Sequence, residues 1–122
     1  MVEINFAREI STTVEAFLIL GMRTQTIYRV ILSRLYYAAH HVGRLLLRNV
    51  GIAPEQWRGD VHRRVINELE RRLVNTGVMS RNAWEALCRL RISRIRADYE
   101  IAMEITDYDI AQALNLFTIY FE

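Results

Sequence analysis

The chain has 122 residues, 52% of them hydrophobic and 25% charged, and a formal net charge of +2. That length holds one domain over 1–122 with a real core and little room for a second. The composition excludes a disordered chain, and so small a net charge excludes a dominant nonspecific nucleic-acid surface. All sixteen basic residues are arginine, so each is a planar fork able to bind phosphate or carboxylate with two hydrogen bonds. A GC-rich coding bias explains the same absence of lysine. The longest apolar run, Ala16 to Met22, falls short of a membrane span, and Glu3 and Glu9 sit early, unlike a signal peptide. A cytoplasmic protein without membrane association is expected. Cys88 is the single cysteine and no cysteine or histidine cluster has zinc spacing, so neither an internal disulfide nor a metal or other cofactor is expected.

Apolar periodicity predicts five helices and no strand, an all-α chain. The first helix spans about Phe6 to Leu20, with Phe6, Ile10, Thr13, Phe17 and Leu20 on one face and Gly21 ending it. A long second helix, Thr24 to Asn49, repeats Ile27, Ile31, Leu35, Ala38, Val42, Leu45 and Leu46 as a core-facing stripe and stops at Asn49-Val50-Gly51. The segment Ile52 to Gly59 holds the only proline, Pro54, and reads as a loop in which Trp57 is available for an oligomer or partner contact. Asp60 caps a third helix through Val61, Val65, Ile66, Leu69 and Leu73, where Arg63, Arg64, Arg71 and Arg72 pair with Glu68 and Glu70, and Asn75-Thr76-Gly77 stops it. Ser80 caps a fourth helix carrying Trp84, Leu87, Leu90 and Ile95, with Trp84 and Cys88 expected in the core. Thr106 and Asp109 resemble a capping box for a final helix through Ile110, Ala113, Leu114, Phe117 and Phe121.

Two stretches carry chemistry. On the fourth helix, Leu90-Arg91-Ile92-Ser93-Arg94-Ile95-Arg96-Ala97-Asp98-Tyr99 puts Arg94 beside Asp98, four residues on, with Arg91 one turn earlier. Such a face suits a phosphate or a buried partner; read alone, it is equally a solvated ion pair worth at most about 1 kcal/mol. On the second helix, Arg34, Tyr37 and His41 align a guanidinium, a phenol and an imidazole over two turns. They suit a charged partner, or are core residues whose polar tips are satisfied locally. His62, in the first turn of the third helix, is near free backbone donors that favour an anion, or is an ordinary surface histidine.

Taken together, Ser33-Arg34-Leu35-Tyr36-Tyr37-Ala38-Ala39 followed by His41, then His62-Arg63, then Arg94-Ile95-Arg96-Ala97-Asp98-Tyr99 make the chain resemble the HEPN-domain family of small prokaryotic helical proteins, often paired with minimal nucleotidyltransferases. The resemblance runs from the first helix to the C-terminus. It implies an up-and-down helical bundle that forms a homodimer, with the arginine-bearing helices meeting at a cleft. In the family's ribonucleases an arginine followed by four to six residues and a histidine cleaves RNA without metal, and Arg94 takes that arginine's place. The histidine is replaced: Tyr99, Glu100 and Ile101 occupy the permitted positions. A phenol with a pKa of about 10 is a poor base at neutral pH, and His41 or His62, each from another helix, is the candidate to supply an imidazole instead. The family's adenylated tyrosine falls at Ile101, which leaves Tyr99 as a substitute acceptor or as a residue closing helix packing. The expectation is a nucleotide- or RNA-interacting toxin-side or accessory component of a toxin–antitoxin type system with a nucleotidyltransferase partner. Arg94, Asp98 and Tyr99 are the candidate catalytic residues, and Arg34, Tyr37, His41, His62 and Arg91 line the binding cleft. Two alternatives are a metal-independent endoribonuclease with a substitute proton carrier, and a structural homodimer in which Arg94 and Asp98 fix helix packing.

Overall fold

The computed structural model describes residues 2–121, which form five helices, α1 (Val2–Ile19), α2 (Gln25–Asn49), α3 (Val61–Leu69), α4 (Arg81–Tyr99) and α5 (Asp107–Tyr120), and no strand. The chain is an all-α bundle, and none of these helices is long and apolar enough to cross a membrane.

The bundle is built around α2. Twelve of its 25 residues are buried, and it touches each of the other four helices. The expected single stripe is therefore too narrow: Leu32, Tyr36, Ala39, His40, Gly43 and Leu47 are buried as well as Ile31, Leu35, Ala38 and Val42. Its neighbours cover most of α2 and leave exposed chiefly the Thr26–Val30–Arg34 edge, so the buried surface is much wider than one apolar stripe. Gly43 marks the tightest approach. A Cβ there would lie 3.1 Å from Leu69 Cδ1 and 3.3 Å from the Tyr120 hydroxyl.

The helix boundaries follow the local chemistry. The Thr24, Asp60 and Ser80 side chains accept from the backbone N–H groups of Ile27, Arg63 and Ala83, and Thr106 with Asp109 forms the complete capping box. Gly21, at φ 73°, ends α1 in the left-handed conformation that a side chain disfavours. The face of α1 differs from expectation: Ala7 and Val14 are buried and Thr13 and Leu20 are exposed. In α5 the buried set includes Leu116 and Tyr120, while Phe121 is exposed. The third helix does not run regularly to Leu73 but widens into a π-turn over Glu70–Val74, where the Asn75 N–H reaches back five residues to the Glu70 carbonyl at 2.9 Å. Its ion pairing is only partly internal: Glu68 pairs with Arg71 and Arg72, whereas Glu70 pairs with Arg81 of α4. Trp84 and Cys88 are half-buried, and the Trp84 indole donates to the Ile66 carbonyl at 2.9 Å. The loop before α3 contains a 3₁₀ turn, Pro54–Gln56, and Trp57 packs there under Arg64, 4.5 Å from guanidinium carbon to ring.

One side chain fixes the end of α4. Arg29 of α2 donates to the carbonyl of Ala97 at 2.8 Å, to those of Arg96, Glu100 and Ile101 at 3.3, 3.4 and 3.2 Å, and to that of Met103. Ala97 is among the last-turn carbonyls that a helix C-terminus leaves without a backbone partner, the others belong to that turn and to the segment after it, and a cation there complements the helix dipole.

Candidate functional site

The site grows from three elements. Helix α2 supplies two neighbouring stripes at four-residue spacing, Tyr36 with His40 and Tyr37 with His41, with Arg44 following both. Asp60 and His62 come from the start of α3, and Arg91 and Arg94 come from one face of α4.

Arg94 is the more buried of the two α4 cations, its side chain 18% exposed against 27% for Arg91. Its Nε lies 2.8 Å from Asp98 Oδ2, yet that N–H is buried and finds no acceptor in line. The contact is charge against charge, not an aligned hydrogen bond. The guanidinium carbon lies 5.8 Å from the Tyr37 ring and 5.7 Å from the Tyr99 ring. Held by Asp98 and flanked by two aromatic faces, Arg94 leaves its two terminal nitrogens without a hydrogen bond among the described residues. Tyr99 itself is 70% exposed, so it does not close helix packing. Its ring flanks Arg94 at the open side.

Arg91 is held from the other direction. Asp60, the N-cap of α3, accepts from the Arg63 N–H at 3.1 Å and places its second oxygen 3.5 Å from Arg91. That backbone hydrogen bond, followed by the Arg91 charge, holds the Asp60 carboxyl below its ordinary range. One carboxylate thus both starts α3 and positions a cation of α4.

Between these arginines and the core sits a row of rings. The Tyr36 hydroxyl is 2.8 Å from His62 Nδ1 and 3.5 Å from His40 Nδ1, and the two imidazoles are 4.3 Å apart. Burial and then the charges of Arg94 and Arg91 push the His62 imidazole below its usual range. Burial, helped by His62, His41 and Arg44, pushes His40 down to about 3. Tyr36, also buried, is pushed up. All three rings are neutral at pH 7.

The predicted residues divide accordingly. Arg91, Arg94 and His62 share one electrostatic environment, with Tyr37 beside them: its ring is 5.9 Å from His62. Arg34 stacks on Tyr37 at 4.6 Å and borders a shallow hollow with Val30 and Asp98. The His41 ring lies between Phe6 of α1, at 6.1 Å, and Tyr37, at 5.8 Å, and burial, then Arg44, lowers its pKa. Of the two histidines, His62 is therefore the one brought to the arginines. Tyr36, His40, Arg44 and Asp60 are site residues the sequence reading did not select. The first three recur at steps of four, a signal present in the sequence but shared with the adjacent Tyr37–His41 stripe.

Two arginines oriented by carboxylates, a neutral imidazole and flanking aromatic rings can hold a phosphate and stack a base. No three histidine, cysteine or acidic side chains gather to hold a metal ion among the described residues. No family model, no curated protein and no solved structure matches this chain.

Proposed function

We propose that the chain is a HEPN-like RNA- or nucleotide-binding module whose phosphate site is the Arg91–Arg94 edge. The observation that carries this reading is Arg94: its Nε pairs with Asp98, its guanidinium lies 5.8 and 5.7 Å from the Tyr37 and Tyr99 rings, and its two terminal nitrogens have no hydrogen-bond partner among the described residues. A guanidinium held this way loses little freedom on meeting a phosphate, which is what separates an anion site from a floppy surface cation. Arg34 and Tyr37 extend the cleft along α2. The exposed apolar side chains Val30, Ile92, Ile95 and Tyr99 beside it support a homodimer formed through the α2–α4 edge. In that assembly the module acts in the cytoplasm as the toxin-side or accessory partner of a nucleotidyltransferase.

His62 favours a second reading, a metal-independent endoribonuclease. The imidazole missing after Arg94 has a counterpart on α3, neutral at pH 7 and under the influence of both arginines.

The test is single-stranded RNA, end-labelled, in chelator, with wild type and Arg94→Ala matched for thermal unfolding. Binding by wild type, weakened about tenfold or more in the variant, is the expected result for loss of one charge-assisted contact. Equal binding by both proteins refutes the phosphate site. Cleavage that disappears in His62→Gln supports the second reading, and intact RNA refutes it.

A further inference from the structure

The Tyr36 hydroxyl imposes a count. A phenol donates one hydrogen bond, and a neutral imidazole carries one N–H. Tyr36 is flanked by two Nδ1 atoms, that of His62 at 2.8 Å and that of His40 at 3.5 Å. For both contacts to be hydrogen bonds and for the buried phenol proton, which has no other acceptor among the described residues, to be used as well, one ring donates its Nδ1–H to the phenol oxygen and the other accepts the phenol proton. Two arrangements satisfy this. In one, His62 donates and His40 accepts; in the other the direction is reversed.

The surroundings choose between them. His62 is faced by Tyr36, Tyr37, His40 and Arg44 from α2, by Arg91 and Arg94 from α4, and by Asp60 ahead of its own helix. Three cations against one carboxylate favour a lone pair over an N–H at its free nitrogen. With His62 as the Nδ1–H donor, that lone pair is on Nε2, and a proton added there disturbs neither bond to Tyr36. In the reverse arrangement a second proton on His62 sets N–H against O–H across the shorter contact. His40, sealed in the core and kept neutral, is suited to be the terminal acceptor.

We propose that Tyr36 and His40 are positioning residues that hold His62 as its Nδ1–H tautomer, and that capture of a phosphate between His62 and Arg94 is accompanied by uptake of one proton at His62 Nε2. The inference rests on the phosphate-binding reading above. One solvent proton adds to the Nε2 lone pair, the new N–H donates to a phosphate oxygen, Nδ1–H stays on Tyr36 and the phenol proton stays on His40. The phosphate charge offsets the arginines that otherwise keep His62 neutral, so binding and protonation strengthen each other.

The probe is an oligouridylate without terminal phosphates, which has no group of its own titrating between about pH 5 and 8. Calorimetry on the full chain in two buffers of different ionisation heat counts the protons taken up, and long-range ¹H–¹⁵N spectra report the His62 tautomer. The expected result is uptake approaching one proton per site, affinity rising by up to about tenfold per unit fall in pH within the linkage window, and His62 protonated on Nδ1 in the free protein. His62→Gln abolishes the uptake. Tyr36→Phe lets the His62 tautomers mix, a change that a purely structural role would not produce. Binding with no pH dependence, or uptake that persists in His62→Gln, overturns the proton-linked capture and leaves phosphate binding standing. His62 protonated on Nε2 in the free protein overturns the positioning role whatever the RNA does. Failure of wild type to bind the oligouridylate at any pH overturns the phosphate reading and the capture together.

Discussion

The Tyr36 hydroxyl on α2 meets the His62 imidazole on α3 at 2.8 Å across 26 residues of sequence. The phenol is fully buried and so is His40, its second imidazole neighbour, so removing the phenol leaves a core imidazole without water to replace it. Tyr36→Phe is expected to destabilise the fold by about 1–3 kcal/mol. Urea denaturation of the variant and of wild type measures it, and equal midpoints would mean that the contact adds nothing net.

Acid should weaken the protein before its carboxylates titrate. His40 is pushed down to about 3 in the fold, and His41 and His62 are lowered in the same direction, while an unfolded histidine titrates at about 6.5. The unfolded chain therefore binds protons that the native state refuses. This stability is complete above about pH 6.5 and is lost as pH falls toward the folded values, by up to about 1.4 kcal/mol per pH unit for His40 alone. Urea titrations between pH 7.5 and 5 should show the decline, and His40→Gln should flatten it by one proton. A flat profile in wild type would contradict the neutral buried histidine.

Arg29 gathers carbonyls from Arg96 to Met103, so Arg29→Met is expected to act locally. It keeps the aliphatic bulk and removes the donors, at about 1–3 kcal/mol. Hydrogen exchange should accelerate in residues 100–106 and the last turn of α4 more than in α1 or α5. Uniform acceleration would indicate global destabilisation instead.

Gly43→Ala sets helix propensity against space. Alanine gains about 1 kcal/mol in a helix interior, but its Cβ would press on Leu69 Cδ1 at 3.1 Å and the Tyr120 hydroxyl at 3.3 Å. That hydroxyl is fixed by donating to the Ala39 carbonyl at 2.9 Å. Overpacking typically costs about 1–3 kcal/mol, so a net loss of about 1 kcal/mol is expected. A raised melting temperature would show that Tyr120 yields more easily than its hydrogen bond implies.

The five helices and the caps at Asp60, Ser80 and Thr106 were legible because periodicity and capping chemistry are local. The extent of burial of α2 was not, because its four neighbours cover polar as well as apolar positions, and Tyr36 and His40 look polar in sequence while being core in space. For the site, the Arg94–Asp98 pair and the Arg34–Tyr37 stack follow from helix spacing alone. Whether His41 or His62 meets the arginines depends on how α3 lies across α2, which no single-helix pattern encodes. Asp60 read as a cap and is one, yet its second oxygen serves Arg91.

Because Tyr36 and His40 belong to the same rod that every other helix leans on, the inner wall of the candidate site has no tolerance of its own. A substitution there is felt as a folding defect before it is felt as altered recognition. On the proposed phosphate-binding reading, variation that retunes the ligand is thereby channelled outward, to Arg34 and Tyr99 along the rim, where side chains are exposed and can be exchanged without reopening the bundle.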